Sequence, residues 1–538
     1  MPSFDLSNRK SIDDISHKDI YRMNLARNMA LLTGDSAVIR RFYRQGAESV
    51  AGKDIFASQE IRRSFFANQL QTNAFVYSGL IPWAVESIVR LVASSGFTVN
   101  SLPNDNDEAS QDLRDYINYT IDKIDLKSKF ARGVYLESGL GDFAYRISYD
   151  ENISNDPILE IIEPQYIDVE YYRGILKKIT IKDTSDVEVV NKKAYDTIEL
   201  REIYSKKINE SGKRYVEINY EFWKKNKKIS ENDLLFSKCM LHWELSDTKI
   251  EFPFDWFPVI FKKNNKKSEL YKQERGVPDI QGIDTLEDAL SECLSNMVDA
   301  IRKGAPKTFV NEDLLPADIR GKTFEHNTFK HEYKIVSDSN IDPSKLYTVL
   351  QARIDWQSYV EISKIIISNA INRMGMAPST LGVTGLESIN SSAESQDARE
   401  KPSLRTREEK LETWKSTLQD ILNKYFQYKA WILGETIEDY SDMIDISFNE
   451  YISPSTENII NVLAGAIRGN VMSIESAIEK RFEHENKKYE LDDIIIEAAR
   501  IRNITPNEEI NLLGILPDLP ADNADNHNES TETLNEEN

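Results

Sequence analysis

Hydrophobic spacing changes character twice along the chain. Between residues 20 and 45, Leu25, Met29 and Leu32 and then Val38, Ile39 and Phe42 recur at three- and four-residue steps, as on one helix face. Residues 73–93 read as a second helical region, interrupted by Gly79 and Pro82. Residues 112–138 read as a third, which runs into Gly139-Leu140-Gly141, a helix stop. From 142 to about 243 the period shortens to two. Phe143-Ala144-Tyr145-Arg146-Ile147, Ile158-Leu159-Glu160-Ile161-Ile162, Ile175 to Ile181, Ile198 to Tyr204 and Tyr215 to Tyr220 predict an antiparallel meander. Asn155-Asp156-Pro157 and Arg173-Gly174 supply turns, and 252–263 closes the segment.

Helical spacing returns after 279. Ile283, Leu286, Leu290, Cys293, Met297 and Ile301 trace one face of a helix of roughly 25 residues, ~38 Å long at 1.5 Å per residue. Asp284, Asp288, Glu292 and Asp299 take the opposite face, and Gly304-Ala305-Pro306 ends the helix. Residues 307–349 carry strand-like pieces. A second long helix, 353–374, has Ile354, Tyr359, Ile362, Ile365, Ile366 and Ile371 on more than one face, which predicts burial on several sides, as between neighbouring subunits. A loop rich in Gly, Ser and Thr follows. Ser391-x-x-Glu394 is a capping box opening a very long helix to about Leu433, with a kink or break at Pro402. Ser453-Pro454 begins three or four shorter helices ending near Gly514. Residues 521–538 hold six acidic and no basic residues, which predicts a disordered tail.

A chain of 538 residues allows several domains, and 40% hydrophobic residues suffice for real cores. No run of about 18 apolar residues occurs, so no bilayer-spanning helix is expected. The start, Met1-Pro2-Ser3-Phe4-Asp5, predicts no signal peptide. Cys239 and Cys293 are the only cysteines, which suits a reducing cytoplasm. Sixty-seven basic against 89 acidic residues give a formal charge of -22. That argues against tight grip on phosphates, though an acidic wall suits DNA that slides past without sticking. Simple solubility also accounts for the charge, and composition alone favours that reading.

The order of elements, together with several local stretches, resembles the portal proteins of long-tailed bacteriophages over nearly the whole chain. Ile301-Arg302-Lys303-Gly304-Ala305-Pro306-Lys307 looks like the exit of a stem helix into the clip. Met374-Gly375-Met376-Ala377-Pro378-Ser379-Thr380-Leu381-Gly382 looks like the link from the second stem helix to the tunnel loop. The stretch from Ser392 to Trp414 looks like the start of the long helix behind that loop. Ile446-Ser447-Phe448, Ser453-Pro454-Ser455 and Val471-Met472-Ser473-Ile474-Glu475 look like the approach to the crown. The resemblance implies an α+β portal fold: wing 1–277, stem helices 278–304 and 350–374, clip 305–349, tunnel loop 375–391, long wing helix 392–444, α-helical crown 445–516 and acidic tail 517–538. It implies a ring, usually of twelve copies, at one capsid vertex of a virion assembled in the host cytoplasm. DNA would pass through it during packaging by the terminase and during ejection. Head-completion adaptors, tail proteins, the major capsid protein and scaffolding proteins would be its other partners, with no membrane and no cofactor.

On that resemblance, Thr380, Gly382, Val383, Thr384, Gly385, Glu387, Ser388 and Asn390 would line the channel constriction; otherwise the loop is only a connector. Asp284, Asp288, Glu292 and Asp299 would face the channel, or form an ordinary solvated face. Lys322, His326, Lys330, His331 and Lys334 would form a clip docking surface; five-residue spacing of the histidines, with no Cys near, is poor for a metal. Ile362, Ile365 and Ile366 would lie between subunits. Arg399, Lys401, Arg405 and Arg407 read as partners of Glu400, Glu408 and Glu409 on their own helix. Six scattered His, no phosphate-binding Gly-rich loop, no Gly-x-Ser-x-Gly elbow and no Cys/His cluster argue against an enzyme. The alternatives are another head–tail connector ring or a nucleic-acid-processing enzyme.

Overall fold

The N-terminal helical pattern yields shorter helices than its spacing suggests, because left-handed residues cut it. The computed structural model describes residues 17–35, 37–39, 76–101, 108–188, 195–266, 274–304, 307–311, 333–336, 347–350, 354–381, 393–441, 443–449, 463–464, 467, 472–484 and 491–502. In it α1 (His17–Leu32) stops before Gly34, whose φ is 65°. α2 (Leu80–Ala93) starts after a left-handed Gly79, and Pro82 falls in its first turn, where a missing N–H costs nothing. The expected interruption at 79–82 is therefore a helix start. β1 (Phe97–Ser101) follows. The single helix expected over 112–138 is two, α3 (Glu108–Lys123) and α4 (Leu126–Leu140), parted where Asp125 takes φ 51°. α4 ends, as expected, at Gly141.

The alternating region is β2 (Asp142–Ser148), β3 (Ile158–Ile162), β4 (Ile167–Tyr172), β5 (Ile175–Glu188), β6 (Tyr195–Ile208), β7 (Arg214–Lys224) and β8 (Lys227–Lys228). Then come α5 (Leu234–His242), β9 (Lys249–Phe252) and β10 (Val259–Lys263). Strands β4 to β8 lie side by side in chain order, with β9 pairing back on β7; β2 sits between β10 and β3 in a second sheet. All these pairings are antiparallel. Helix α5 departs from the expected all-strand texture. It buries Phe236 and Cys239 against Val187, Ile198, Leu200 and Phe222, and burial pushes the Cys239 thiol up to about 11. His242 and Trp243 pin its end to β5 through Ser185 (2.8 Å) and Asp183 (2.9 Å).

Next come α6 (Asp284–Lys303), β11 (Lys307–Asn311), β12 (Tyr333–Val336), β13 (Tyr347–Leu350), α7 (Trp356–Arg373), α8 (Ala393–Leu433) and β14 (Ile444–Phe448). β11 pairs in parallel with β12 and antiparallel with β13. α8 is one helix of 41 residues that continues through Pro402. β14 pairs with β1, so the first compact unit runs to Asn449, and residues 445–449, expected in the crown, belong to it. The second unit is 450–538. Its α9 (Ile474–His484) and α10 (Leu491–Arg502) bury Ala477, Ile478, Ile495, Ala498 and Ala499 and are joined by Arg481–Glu497 (3.3 Å) and Arg502–Glu475 (2.6 Å). The acidic tail and the segment from Ser453 to Ser455 lie outside the described residues. The protein is thus a mixed α+β chain with predominantly antiparallel sheets.

Helix α8 is the spine of the first unit. Leu411, Trp414, Leu418, Ile421, Leu422 and Tyr425 are buried along it. Trp414 meets Phe130 edge-on at 4.9 Å and stacks on Phe143 at 6.0 Å, while its indole N–H donates to Glu137 at 2.8 Å. Farther along, Tyr428 and Trp431 pack on Phe252 of β9. Beside this core two backbones cross at Gly141 and Gly276. Asn264 N–H donates to the Gly141 carbonyl and Asp279 N–H to that of Ser138, both at 2.8 Å. Buried Asp142 accepts from Tyr21 (2.8 Å), Arg275 (3.1 Å) and the Gly276 amide (3.0 Å). Burial pushes the Asp279 carboxyl up, yet Lys410 at 2.8 Å and Lys266 at 3.2 Å outweigh it and hold the group below its ordinary range.

A Cβ on Gly276 would stand 1.8 Å from the Gly141 carbonyl oxygen, which is backbone and cannot swing away. A Cβ on Gly212, at φ +79°, meets nothing within 4 Å. Gly276→Ala should therefore destabilise by roughly 3 kcal/mol or more, and Gly212→Ala by about 1 kcal/mol. Urea denaturation of the two variants checks this; equal losses would contradict the crossing.

Candidate functional site

Helices α6 and α7 pack side by side, and their two long faces are used very differently. Cys293 Sγ lies 3.6 Å from the Tyr359 carbonyl and the Ser363 hydroxyl. Arg373 donates to the Gly282 carbonyl at 2.7 Å. Gly304 is small because a Cβ there would press on Ile354 at 2.8 Å. Tyr359 and Ser363 thus mark the side of α7 that meets α6. Ile362 and Ile365, one turn apart on another side, are 49% and 53% exposed; Ile366 is partly buried. The burial expected of these residues is between subunits; in the single chain Ile362 and Ile365 stand exposed beside Glu361.

Helix α6 buries polar groups instead. Glu287, Ser291 and Ser295 are buried at successive four-residue steps. They receive the segment leading into α2: Val76 N–H donates to Ser295 (2.9 Å), Ser78 N–H to Ser291 (3.1 Å) and Ile81 N–H to Glu287 (2.8 Å). The Ser78 hydroxyl also donates to Glu287. Four helical residues rise ~6 Å and the two extended residues from Val76 to Ser78 ~6.6 Å, so the first step matches; the chain then turns at Gly79 into α2, which brings Ile81 to Glu287. The Glu287 carboxylate sits at the start of α2, where unpaired amides and the helix dipole favour an anion. Arg407 closes the other end of α2, donating to the Leu91 carbonyl (3.0 Å), to Ser95 (2.9 Å) and to the Asn449 carbonyl (2.6 Å).

The four acidic residues expected on one channel-facing side are divided. Asp284 pairs with Arg27 of α1 at 3.0 Å, Asp288 is partly buried and Asp299 is buried, one step beyond Ser295 in the seam; Glu292 is exposed. Ile301, expected on the apolar inner face, is 51% exposed. Thr380 is held against α8: Ser403 lies 2.9 Å from its hydroxyl, accepts from the Ala377 amide at 2.8 Å, and Thr406 donates to the Gly375 carbonyl at 2.6 Å. Gly382, Val383, Thr384, Gly385, Glu387, Ser388 and Asn390 lie outside the described residues, as do Lys322, His326, Lys330 and His331. Lys334 is placed on β12, opposite Phe309 of β11. Arg405 pairs with Glu409 along α8 as expected (3.0 Å), and Arg407 caps α2.

Residues Glu287, Ser291 and Ser295 were not singled out by sequence reasoning. Their four-residue spacing was the available signal. Among the described residues no group of three or more His, Cys, Asp or Glu is placed to hold a metal, and no helix is long and apolar enough to cross a membrane.

Burial pushes the Glu287 carboxyl up, and donation from Ser78, Ile81, Ser291 and Gly79 only partly offsets it. A carboxyl that titrates higher folded than unfolded favours folding most below its unfolded value, and that contribution is lost as pH rises through the folded value. The wild type should therefore gain stability relative to Glu287→Gln as pH falls from neutral toward 4.5. Glu287→Ala, which strands the Ile81 amide, should cost about 2–3 kcal/mol, against less than about 1 kcal/mol for Glu287→Gln. Denaturation curves across that pH range test both statements. Compared with known proteins, the chain matches no family model and no curated protein.

Proposed function

We propose that the chain is a phage portal protein: a ring subunit, twelve to the ring, that forms the DNA channel at one capsid vertex and docks terminase, head-completion adaptors and tail proteins. The exposure of apolar residues on α7 is the observation that carries this reading. Two half-exposed isoleucines one turn apart, on a helix that buries only Ala370 and Ile371 and also exposes Trp356, support a partner surface on α7. Further support comes from the order of elements. Helices, an antiparallel sheet region, a long helix, a small three-stranded module, a second long helix and a 41-residue helix follow one another as the resemblance implies.

In this reading the protein performs no catalysis. Its work is geometric: copies close around an axis, the three-stranded module of β11–β13 projects between the paired helices, and the loop after Thr380 meets the duplex. A net charge of -22 per copy keeps the wall from binding phosphate. Terminase would supply the energy for movement.

Electron microscopy of the purified protein tests the proposal: a ring with a central hole and a stem is expected. A compact monomer that cleaves DNA with a metal ion would overturn it in favour of a nucleic-acid-processing enzyme. Ile362→Asp with Ile365→Asp should abolish rings, since two carboxylates would be buried without partners at several kcal/mol each. Because both positions are half exposed in the single chain, the variant should melt like the unassembled wild type; sedimentation velocity and thermal denaturation read the two effects separately. Intact rings in this variant would remove α7 from the interface.

A further inference from the structure

Two neighbouring hairpin tips stand out against the acidic chain. The β4–β5 tip turns at Arg173-Gly174, with φ of 50° and 81°, and the β6–β7 tip spans Ile208 to Arg214. Lys178 pairs with Ser205 and Ile208 with Arg214, so both tips lie at one end of the six-stranded sheet. Residues 172–178 and 205–215 carry seven Lys or Arg and one acid, Glu210, in a chain of net charge -22. Tyr172, Ile175 and Ile208 on the same tips are 60–68% exposed. Neither tip is a loose loop. Asn209 locks the second, donating its N–H to the Lys213 carbonyl (3.0 Å) and accepting the Lys213 N–H on its side chain (2.7 Å).

The opposite chemistry sits at the end of α8. Glu435, Glu438 and Asp439 are exposed, and no Lys or Arg occurs between 433 and 443. The nearby lysines Lys123 and Lys429, which lie over the Tyr119 and Tyr116 rings, are paired with Asp156. Leu433 and Ile437, and Tyr119 on α3, are 45–63% exposed. Rings join these elements: Phe426 lies 5.7 Å from Tyr116 of α3 and 5.5 Å from Tyr440. Asn423 donates to Asp439 at 2.9 Å. At 100° per residue, the Asn423–Phe426 side of α8 is about 140° around the axis from the Tyr428–Trp431 side that packs on the sheet. The basic-apolar tips and the acidic-apolar patch thus belong to different sides of the spine.

We infer that the basic end of the sheet in one copy docks on the acidic patch at the end of α8 in the next copy. A ring needs a heterologous contact, in which two different surfaces on different sides of one subunit match each other. Charge and apolar exposure match here in both respects. Duplex DNA fits less well, because phosphate contacts would leave Tyr172, Ile175 and Ile208 unused. The inference rests on the ring reading and adds to it a contact separate from α7.

Salt dependence alone is ambiguous, since salt also screens repulsion between acidic copies, so the test is a charge swap. Arg173→Glu with Lys213→Glu should raise the concentration for half-assembly about tenfold, and Glu435→Lys with Glu438→Lys likewise. Combining all four should restore assembly toward wild type. All positions are on the surface, so each variant should melt like the unassembled wild type. If the wild type assembles but either reversal leaves sedimentation unaltered, or the combined variant stays dissociated, the contact is overturned while the ring reading stands. If reversal of the tips lowers retention of a 30-base-pair duplex (about three helical turns) and leaves assembly intact, the contact is likewise overturned. A wild type that never assembles removes the ring reading itself.

Discussion

The first unit depends on the close crossing of Gly141 and Gly276. At that point the end of α4, the start of β2 and the approach to α6 come together, and no side chain fits between them. The hydrogen bonds from Asn264 to Gly141 and from Asp279 to Ser138 exist only because the backbones touch. The approach also positions two buried charges. Arg275 reaches Asp142 and lies over the Tyr21 ring at 4.5 Å, which draws α1 to β2; Asp279 reaches Lys410, which draws in α8. Buried pairs of this kind add little net stability over an apolar replacement, but breaking one costs about 3–5 kcal/mol. Their effect is to allow one arrangement of these elements and penalise the rest.

From that junction the geometry passes outward through α2. This helix has a buried carboxylate from α6 at its start and a buried guanidinium from α8 at its end, each the sign that the helix dipole favours. It is therefore a strut between the helix pair and the spine. The seam of Glu287, Ser291 and Ser295 commits one side of α6 to the segment 76–81, while the side of α6 bearing Cys293 meets α7 at Tyr359 and Ser363.

Alternation in sequence maps directly onto alternating burial in β4 and β6, whereas β2 buries Asp142 to Tyr145 in succession and was legible from its β-branched and aromatic content. Helix α5 was not: Leu234-Leu235-Phe236-Ser237-Lys238-Cys239-Met240-Leu241 is short and nearly continuously apolar, and such a run has no period to read. The helix break at Asp125 depends on a left-handed backbone at a non-glycine residue, which composition marks only weakly. The α6 seam was illegible for a deeper reason. A polar stripe on a helix reads as solvent-facing unless the backbone that satisfies it is known, and here that backbone lies some two hundred residues earlier. Arg407 is read incompletely likewise: carboxylates nearby on α8 suggest a local pair, and nothing nearby in sequence points to its bonds with the end of α2 and the turn after β14.

The exposed α7 isoleucines and the acidic composition meet in one constraint. In the proposed ring, copies that each carry -22 would repel one another, so total charge would oppose assembly while favouring free passage of DNA. Screening decides how these effects divide. At physiological ionic strength the field of exposed charges decays over about 8 Å. Two surfaces in contact therefore sense chiefly the residues within that distance, not the sum over the chain. Apolar area on α7 is indifferent to charge altogether and gains free energy in proportion to what it buries, about 25 cal/mol per Å². An acidic chain can close into a ring provided its contacts are locally apolar or locally complementary, and can leave its remaining excess charge to any surface that faces the duplex. Assembly and non-adhesion then draw on different residues, and neither has to be weakened to permit the other.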